Sequence, residues 1–146
     1  MDPHINSKVY LKEIPLINGW GVFTNENIKT GEIIEVSPVF IYPKKIIDLS
    51  IYISLGEGMN PASLGIDQYG ILWNIDDENN FIAATMLGYL SLYNHSNHNN
   101  AMFEAIIEKR LVKLTAIRDI VAEEQITVSY GEDWFNQKNY LNYIDF

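Results

Sequence analysis

The sequence predicts a mainly β fold, a β-rich α+β domain, and three observations carry that expectation. Short runs alternate apolar and polar residues with the period of a half-buried strand. Turn-forming residues interrupt these runs roughly every eight to twelve positions, as in compact all-β or β-rich domains. The chain has 146 residues, 47% hydrophobic and 20% charged. That composition is globular, and the length suits one domain with a substantial core and no separate linker.

Taken in order, Lys8–Ile14 (KVYLKEI) alternates as a strand does, and Pro15 breaks it. Asn18-Gly19-Trp20-Gly21 reads as an exposed loop before a short strand, Val22-Phe23-Thr24. A turn at Lys29–Glu32 precedes Ile33–Val36; Ser37-Pro38 either ends that strand or marks it as an edge, because proline cannot donate to a ladder. Val39–Tyr42 could continue it. Lys45–Leu55 fits a strand or a helical turn equally well, and Gly56–Leu64 is a loop. Tyr69–Asn74 reads as a strand leading into the acidic turn 76–80. Phe81–Tyr93 is the best candidate for a helical or mixed segment. Met102–Ile107 and Arg110–Ala116 read as strands joined at Glu108-Lys109, and Ile126–Tyr130 as a last strand ending at Gly131.

Composition excludes several function classes. The net charge is −9 and the isoelectric point about 4.6, which argues against a nucleic-acid binder that must neutralise phosphates. An acidic protein attracts basic partners such as Lys/Arg-rich peptide tails. Cysteine is absent, so disulfides, thiolate metal sites and cysteine nucleophiles are excluded. The N-terminal residues do not resemble a signal peptide, and no apolar run approaches a membrane span, so an intracellular protein, cytoplasmic or nuclear, is expected.

The stretch Leu87–Ala101 breaks its own local rule. A packing pattern ending at Tyr93 changes abruptly into seven polar residues, Asn94-His95-Ser96-Asn97-His98-Asn99-Asn100. Such breaks concentrate at functional sites, although Asn-rich loops are common. Gly19-Trp20-Gly21 lets backbone approach a ligand closely, but also suits a plain turn, and it opens onto no helix, so the dinucleotide fingerprint is not met. His95 and His98 are too few for a metal site, which needs three or four ligands; no metal is expected. Tyr130, at the end of an apolar strand, is either a core tyrosine or a phenol at the mouth of a pocket.

The order Gly19-Trp20-Gly21-Val22-Phe23, then Asn94-His95-Ser96 with Asn100, then Ile126-Thr127-Val128-Ser129-Tyr130-Gly131, resembles the SET-domain protein lysine methyltransferases, most of all their minimal viral-type members. The resemblance covers about residues 8–135, with residues 131–146 as a closing segment of a single SET domain. It implies a β-clip of several small curved sheets with the NHS segment threaded as a pseudoknot. It also implies S-adenosylmethionine as cofactor, a lysine in a basic protein tail (a histone favoured) as substrate, and a possible homodimer. By position, the resemblance makes Tyr130 and Tyr69 catalytic, with Tyr69, Phe103 and Tyr130 lining the lysine channel. Gly19, Trp20, Gly21, Tyr93, Asn94, His95, Tyr130 and Trp134 are expected to bind the cofactor. Two departures stand out: Asn99 replaces the usual proline of NHSxxPN, and Glu123-Glu124-Gln125 stands where the family commonly has Gly-Glu-Glu. Two other readings are an inactive SET-like module that binds basic peptides and an unrelated acidic adaptor.

Overall fold

The computed structural model describes residues 1–42, 70–75 and 81–131. The described strands are β1 (His4–Ile5), β2 (Val9–Ile14), β3 (Gly19–Thr24), β4 (Ile33–Ile41), β5 (Gly70–Ile75), β6 (Phe81–Met86), β7 (Asn94–His95), β8 (Ala101–Ile106), β9 (Leu111–Ala116) and β10 (Thr127–Val128). Among the described residues the only helical turns are short 3-10 segments, at Pro15–Ile17, Leu90–Leu92 and Ile107–Lys109. The mainly β expectation is met. The strands form one sheet in the order β5-β6-β4-β9-β8, with β1 beside β4, and two small pairs, β2-β3 and β7-β10.

Strand β4 is the spine. It pairs with β9 through Ile33–Pro38 and with β6 through Val39–Ile41. Pro38 neither ends it nor sits on an edge, because it falls where the partner changes. Its missing N–H is not needed there, its carbonyl accepts the Leu87 N–H at 3.1 Å, and the next N–H, of Val39, reaches Arg110 O at 3.1 Å. Being paired on both sides, β4 buries Ile34, Glu35, Val36, Ser37 and Val39.

Three local readings are corrected or narrowed. Phe81–Tyr93 takes the mixed form, not the helical one: Phe81–Met86 is a strand sandwiched between β5 and β4, and a short apolar run cannot distinguish a buried strand from a helix by period alone. Gly88, at φ +69, then turns the chain into Leu90–Leu92. Gly19-Trp20-Gly21 is not a loop: it forms the first half of β3, registered from Ile14↔Gly19 to Val9↔Thr24. The loop is shorter, with Asn18 at φ 50 and its N–H returned to Pro15 O at 3.1 Å. The last strand is only Thr127–Val128, paired in parallel with Asn94–His95.

That parallel pair is the crossing point of the fold. The segment 124–128 is held on one side by β3, through Thr24 N–H to Glu124 O (3.2 Å) and Ile126 N–H to Val22 O (2.8 Å). On the other side it meets the polar loop: Ser96 N–H to Val128 O (2.9 Å) and Asn100 N–H to Thr127 O (3.2 Å). The Asn100 side chain completes the lock. It accepts from Thr127 N–H at 2.9 Å and donates to Gln125 O at 2.8 Å and Glu124 Oε1 at 3.1 Å. The core beneath is Val22, Ile28, Ile34, Leu90, Tyr93, Leu114, Ile120, Ile126 and Val128, each burial of this kind contributing about 2 kcal/mol.

Outside the core, Asp119 pins the turn at Thr30. It accepts the Lys29 ammonium at 2.7 Å, the Thr30 N–H at 2.9 Å and the Thr30 hydroxyl at 3.0 Å. The Lys29 contact, then the Thr30 donors, lower its carboxyl from the ordinary 3.8 to about 2.

Two consequences can be measured. Replacing Asn100 with Ala leaves the buried Thr127 N–H and the Gln125 carbonyl without partners, and should cost about 3 kcal/mol in denaturant unfolding. A loss below about 1 kcal/mol would show that the backbone ladder alone holds the crossing. A depressed carboxylate stabilises above its unfolded value and loses that contribution as pH falls through its folded value. Asp119→Asn should therefore flatten the decline of stability between pH 3.8 and about 2; parallel acid titrations of the two proteins would exclude this.

Candidate active site

The polar loop and the C-terminal strand meet at Tyr130. β7 and β10 run side by side, so the residues that follow Val128 pass directly over His95. The Tyr130 N–H donates to His95 Nδ1 at 3.2 Å. A backbone N–H can only donate, so Nδ1 carries no proton and the ring proton sits on Nε2, which faces Asn97 Oδ1 at 3.1 Å. One imidazole tautomer is thus set by its neighbours. The His95 and Tyr130 rings lie 5.4 Å apart, tilted by 48°. Gly131, at φ +90, turns the chain away immediately afterwards.

The Tyr130 hydroxyl is half-buried and donates to the Tyr93 carbonyl oxygen at 2.8 Å. A phenol has one proton. Once that proton is committed to Tyr93, the oxygen can act only as an acceptor toward any other group.

Strand β3 supplies the second wall. The Asn94 side-chain amide donates to Trp20 O at 3.2 Å, which ties the GxG strand to the NHS loop. Gly21 makes that approach possible: a Cβ there would lie 2.6 Å from Ile14 Cδ1 and 3.0 Å from Asn94 Nδ2. Gly19 has no such need, since an added Cβ would meet only Ile17, at 3.5 Å or more. The Trp20 side chain is half-exposed beside this junction.

The expected site residues therefore divide. Trp20, Gly21, Asn94, His95 and Tyr130 come together, with Gly19 one step along the same strand. The Tyr93 side chain turns inward. It is fully buried and its hydroxyl donates to Glu35 Oε2 at 2.9 Å, so only the Tyr93 carbonyl reaches the site. Burial, then the Glu35 charge, raises its phenol well above the ordinary 10. Phe103 packs edge-on against Tyr93, centroids 6.3 Å apart. Tyr69 and Trp134 lie outside the described residues. Among the described residues no group of three or more acidic or histidine side chains is placed to hold a metal.

Glu35 escaped the sequence reading. It lies in a largely apolar strand, and its whole side chain is buried. The signal available was Gly88 before Tyr89 and Tyr93, small and aromatic residues facing an internal carboxylate. That arrangement has meaning only once β4 is known to pass beneath them.

The departures from the family pattern are accommodated locally. Asn99, in the proline position, donates its side-chain amide to Ala101 O at 2.9 Å and so restrains the loop by a hydrogen bond instead of a ring. Glu123, in the glycine position, adopts φ +68 and accepts the Tyr10 hydroxyl at 2.7 Å.

Comparison with known proteins agrees with this geometry. The profile of the SET domain matches residues 19–131, from the first glycine of β3 to the glycine after Tyr130. The chain belongs to the SET-domain family and is, in class, a protein lysine methyltransferase. It is similar to a Schizosaccharomyces pombe histone-lysine N-methyltransferase specific for H3 lysine-37, at 24% identity over 121 residues, covering 82% of this chain and 72% of that protein. It also resembles a crystal structure of a candidate histone methyltransferase of Plasmodium falciparum, at 30% identity and a TM-score of 0.60, covering 90% of this chain and 99% of that one.

Proposed function

We propose that this protein uses S-adenosylmethionine to methylate a lysine in a basic protein segment, with a histone tail as the leading substrate. The observation that carries the reading is the Tyr130 hydroxyl, fixed by the Tyr93 carbonyl beside the Trp20–Asn94 junction. The net charge of −9 favours a cationic substrate, and a histone substrate would place the protein at chromatin.

The residues present fit the cofactor. Gly21 leaves its backbone bare, since a Cβ there would run into Ile14 and Asn94. That backbone is bordered by the Trp20 carbonyl and the Asn94 amide, an acceptor and a donor suited to the two ends of an amino acid. The Trp20–Gly21 backbone, Asn94 and His95 would hold the group. When bound, it supplies an activated methyl for direct displacement by an amine.

The chain's own contribution is alignment and desolvation. Holding two reactants in line can contribute roughly 7–11 kcal/mol. The attacking lysine must be neutral, against an ordinary value of about 10.4, and exclusion of water lowers that value. Tyr130 orients rather than deprotonates: with its O–H hydrogen-bonded to the Tyr93 carbonyl, its oxygen accepts weak C–H contacts from a polarised methyl.

The direct test is incubation with radiolabelled S-adenosylmethionine and core histones, followed by mapping of label to lysine. Cofactor binding with no transfer to any lysine would overturn the assignment. Tyr130→Phe should lower kcat about a hundredfold with cofactor affinity little changed; wild-type turnover in that variant would remove Tyr130 from the mechanism. Asn94→Ala should act in the opposite sense, weakening cofactor binding on the order of tenfold, as loss of a hydrogen bond to a charged group does. Calorimetry showing unaltered affinity would detach Asn94 from the cofactor site.

A further inference from the structure

Glu35 is a fully buried carboxylate that no step of the proposed reaction uses. A buried charge is expensive unless hydrogen-bonded. Among the described residues its partners are neutral donors. Oε1 accepts from Ser37 Oγ at 2.7 Å and Tyr89 N–H at 2.9 Å, and Oε2 accepts from the Tyr93 hydroxyl at 2.9 Å. Burial raises its carboxyl above the ordinary value, while the Ser37, Tyr93, Tyr89 and Leu90 donors oppose that rise.

The placement of these donors is informative. Tyr89 and Tyr93 flank the 3-10 turn Leu90–Leu92, so one carboxylate grips both ends of the turn that delivers the polar loop. Gly88 lies so close that an added Cβ would stand 2.3 Å from Glu35 Oε1 and 2.5 Å from Ser37 Oγ. In the strand beneath, the register of β4 against β9 shifts between Ile33 and Glu35, and a shift of this kind can re-aim a side chain. At the far end of Tyr93, the carbonyl accepts the Tyr130 hydroxyl at 2.8 Å. An unbroken chain of contacts thus runs from Glu35 to the Tyr93 ring, along Tyr93 to its carbonyl, and on to the Tyr130 oxygen.

We infer that Glu35 is a positioning residue for methyl transfer: by clamping Tyr93 and the turn before it, the carboxylate sets the direction of the Tyr93 carbonyl and through it the Tyr130 hydroxyl. This rests on the reading of Tyr130 as the residue at the transfer site. A residue kept only for stability would need no link to that hydroxyl.

The test uses the full chain with Glu35→Gln, Glu35→Met and Tyr93→Phe, each made in the wild-type and Tyr130→Phe backgrounds. Turnover, KM for a lysine peptide, cofactor affinity and Tm are measured for each, together with the NMR signal of the Tyr130 ζ-carbon in tyrosine-labelled protein. Glu35→Gln keeps the shape and most of the bonds and should stay within about threefold of wild-type kcat. Glu35→Met and Tyr93→Phe should lower kcat on the order of tenfold or more, as slight misplacement of a reacting group does. Both should leave cofactor affinity unchanged and shift or broaden the Tyr130 signal. Those losses should disappear in the Tyr130→Phe background, where no hydroxyl remains to be aimed. Equal fractional losses in both backgrounds, or an unmoved Tyr130 signal, overturn the inference. Tyr93→Phe removes a single hydroxyl and carries the test if Glu35→Met does not fold. Normal turnover in Tyr130→Phe alone would instead sink the catalytic reading, and the Tyr130 signal would then decide by itself whether the positional link exists.

Discussion

The lock between Asn100 and the segment 125–127 is the contact on which the rest depends. Its three side-chain bonds and the adjoining backbone bonds hold two stretches nearly thirty residues apart in sequence side by side. Such a parallel pairing cannot be made by a hairpin. The chain must travel out along β8, return along β9 and pass the charged turn before Thr127 can meet Asn94. The closure entropy of that excursion is opposed by the bonds that buried Asn100 and Ser96 make to Gln125, Thr127 and Val128. Once closed, the crossing delivers His95 beneath Tyr130 and Tyr93 O beneath its hydroxyl without further adjustment.

The same crossing brings in β3. Val22 and Thr24 pair with the segment 124–126, so the strand that carries Gly21 is locked to the strand that precedes Tyr130. The Trp20–Asn94 contact therefore has a paired strand on either side, β2 beside β3 and β10 beside β7. This suits a reaction whose acceleration comes chiefly from alignment.

The substitutions at Asn99 and Glu123 show how much of a family pattern is chemistry and how much is scaffolding. Proline and glycine are used at these points for backbone shape. Here Asn99 reaches a similar restraint with a hydrogen bond to Ala101 O. Glu123 accepts the left-handed conformation that glycine would adopt freely, at a cost of about 1–2 kcal/mol, with its carboxylate meeting Tyr10.

By itself the sequence determined the β-rich class, most of the strands and the three motifs that define the site. These depend on local periodicity, on turn residues and on residue identity at fixed spacing, all of which can be read along the chain. Asn100 was legible as part of the motif by its position, although its partners at Gln125 and Thr127 were not. Only the tertiary structure decided that Gly19-Trp20-Gly21 is strand, that Phe81–Met86 is the strand part of a mixed segment, and that the Tyr93 side chain faces the core. It also revealed Glu35. Each of these turns on which segment lies alongside which, because partners on both sides make a strand of an ambiguous apolar run. In the same way, a neighbouring carboxylate makes a core anchor of an aromatic beside the site. Pairing between distant segments leaves no periodic mark in the sequence, and so the crossing had to be seen in three dimensions.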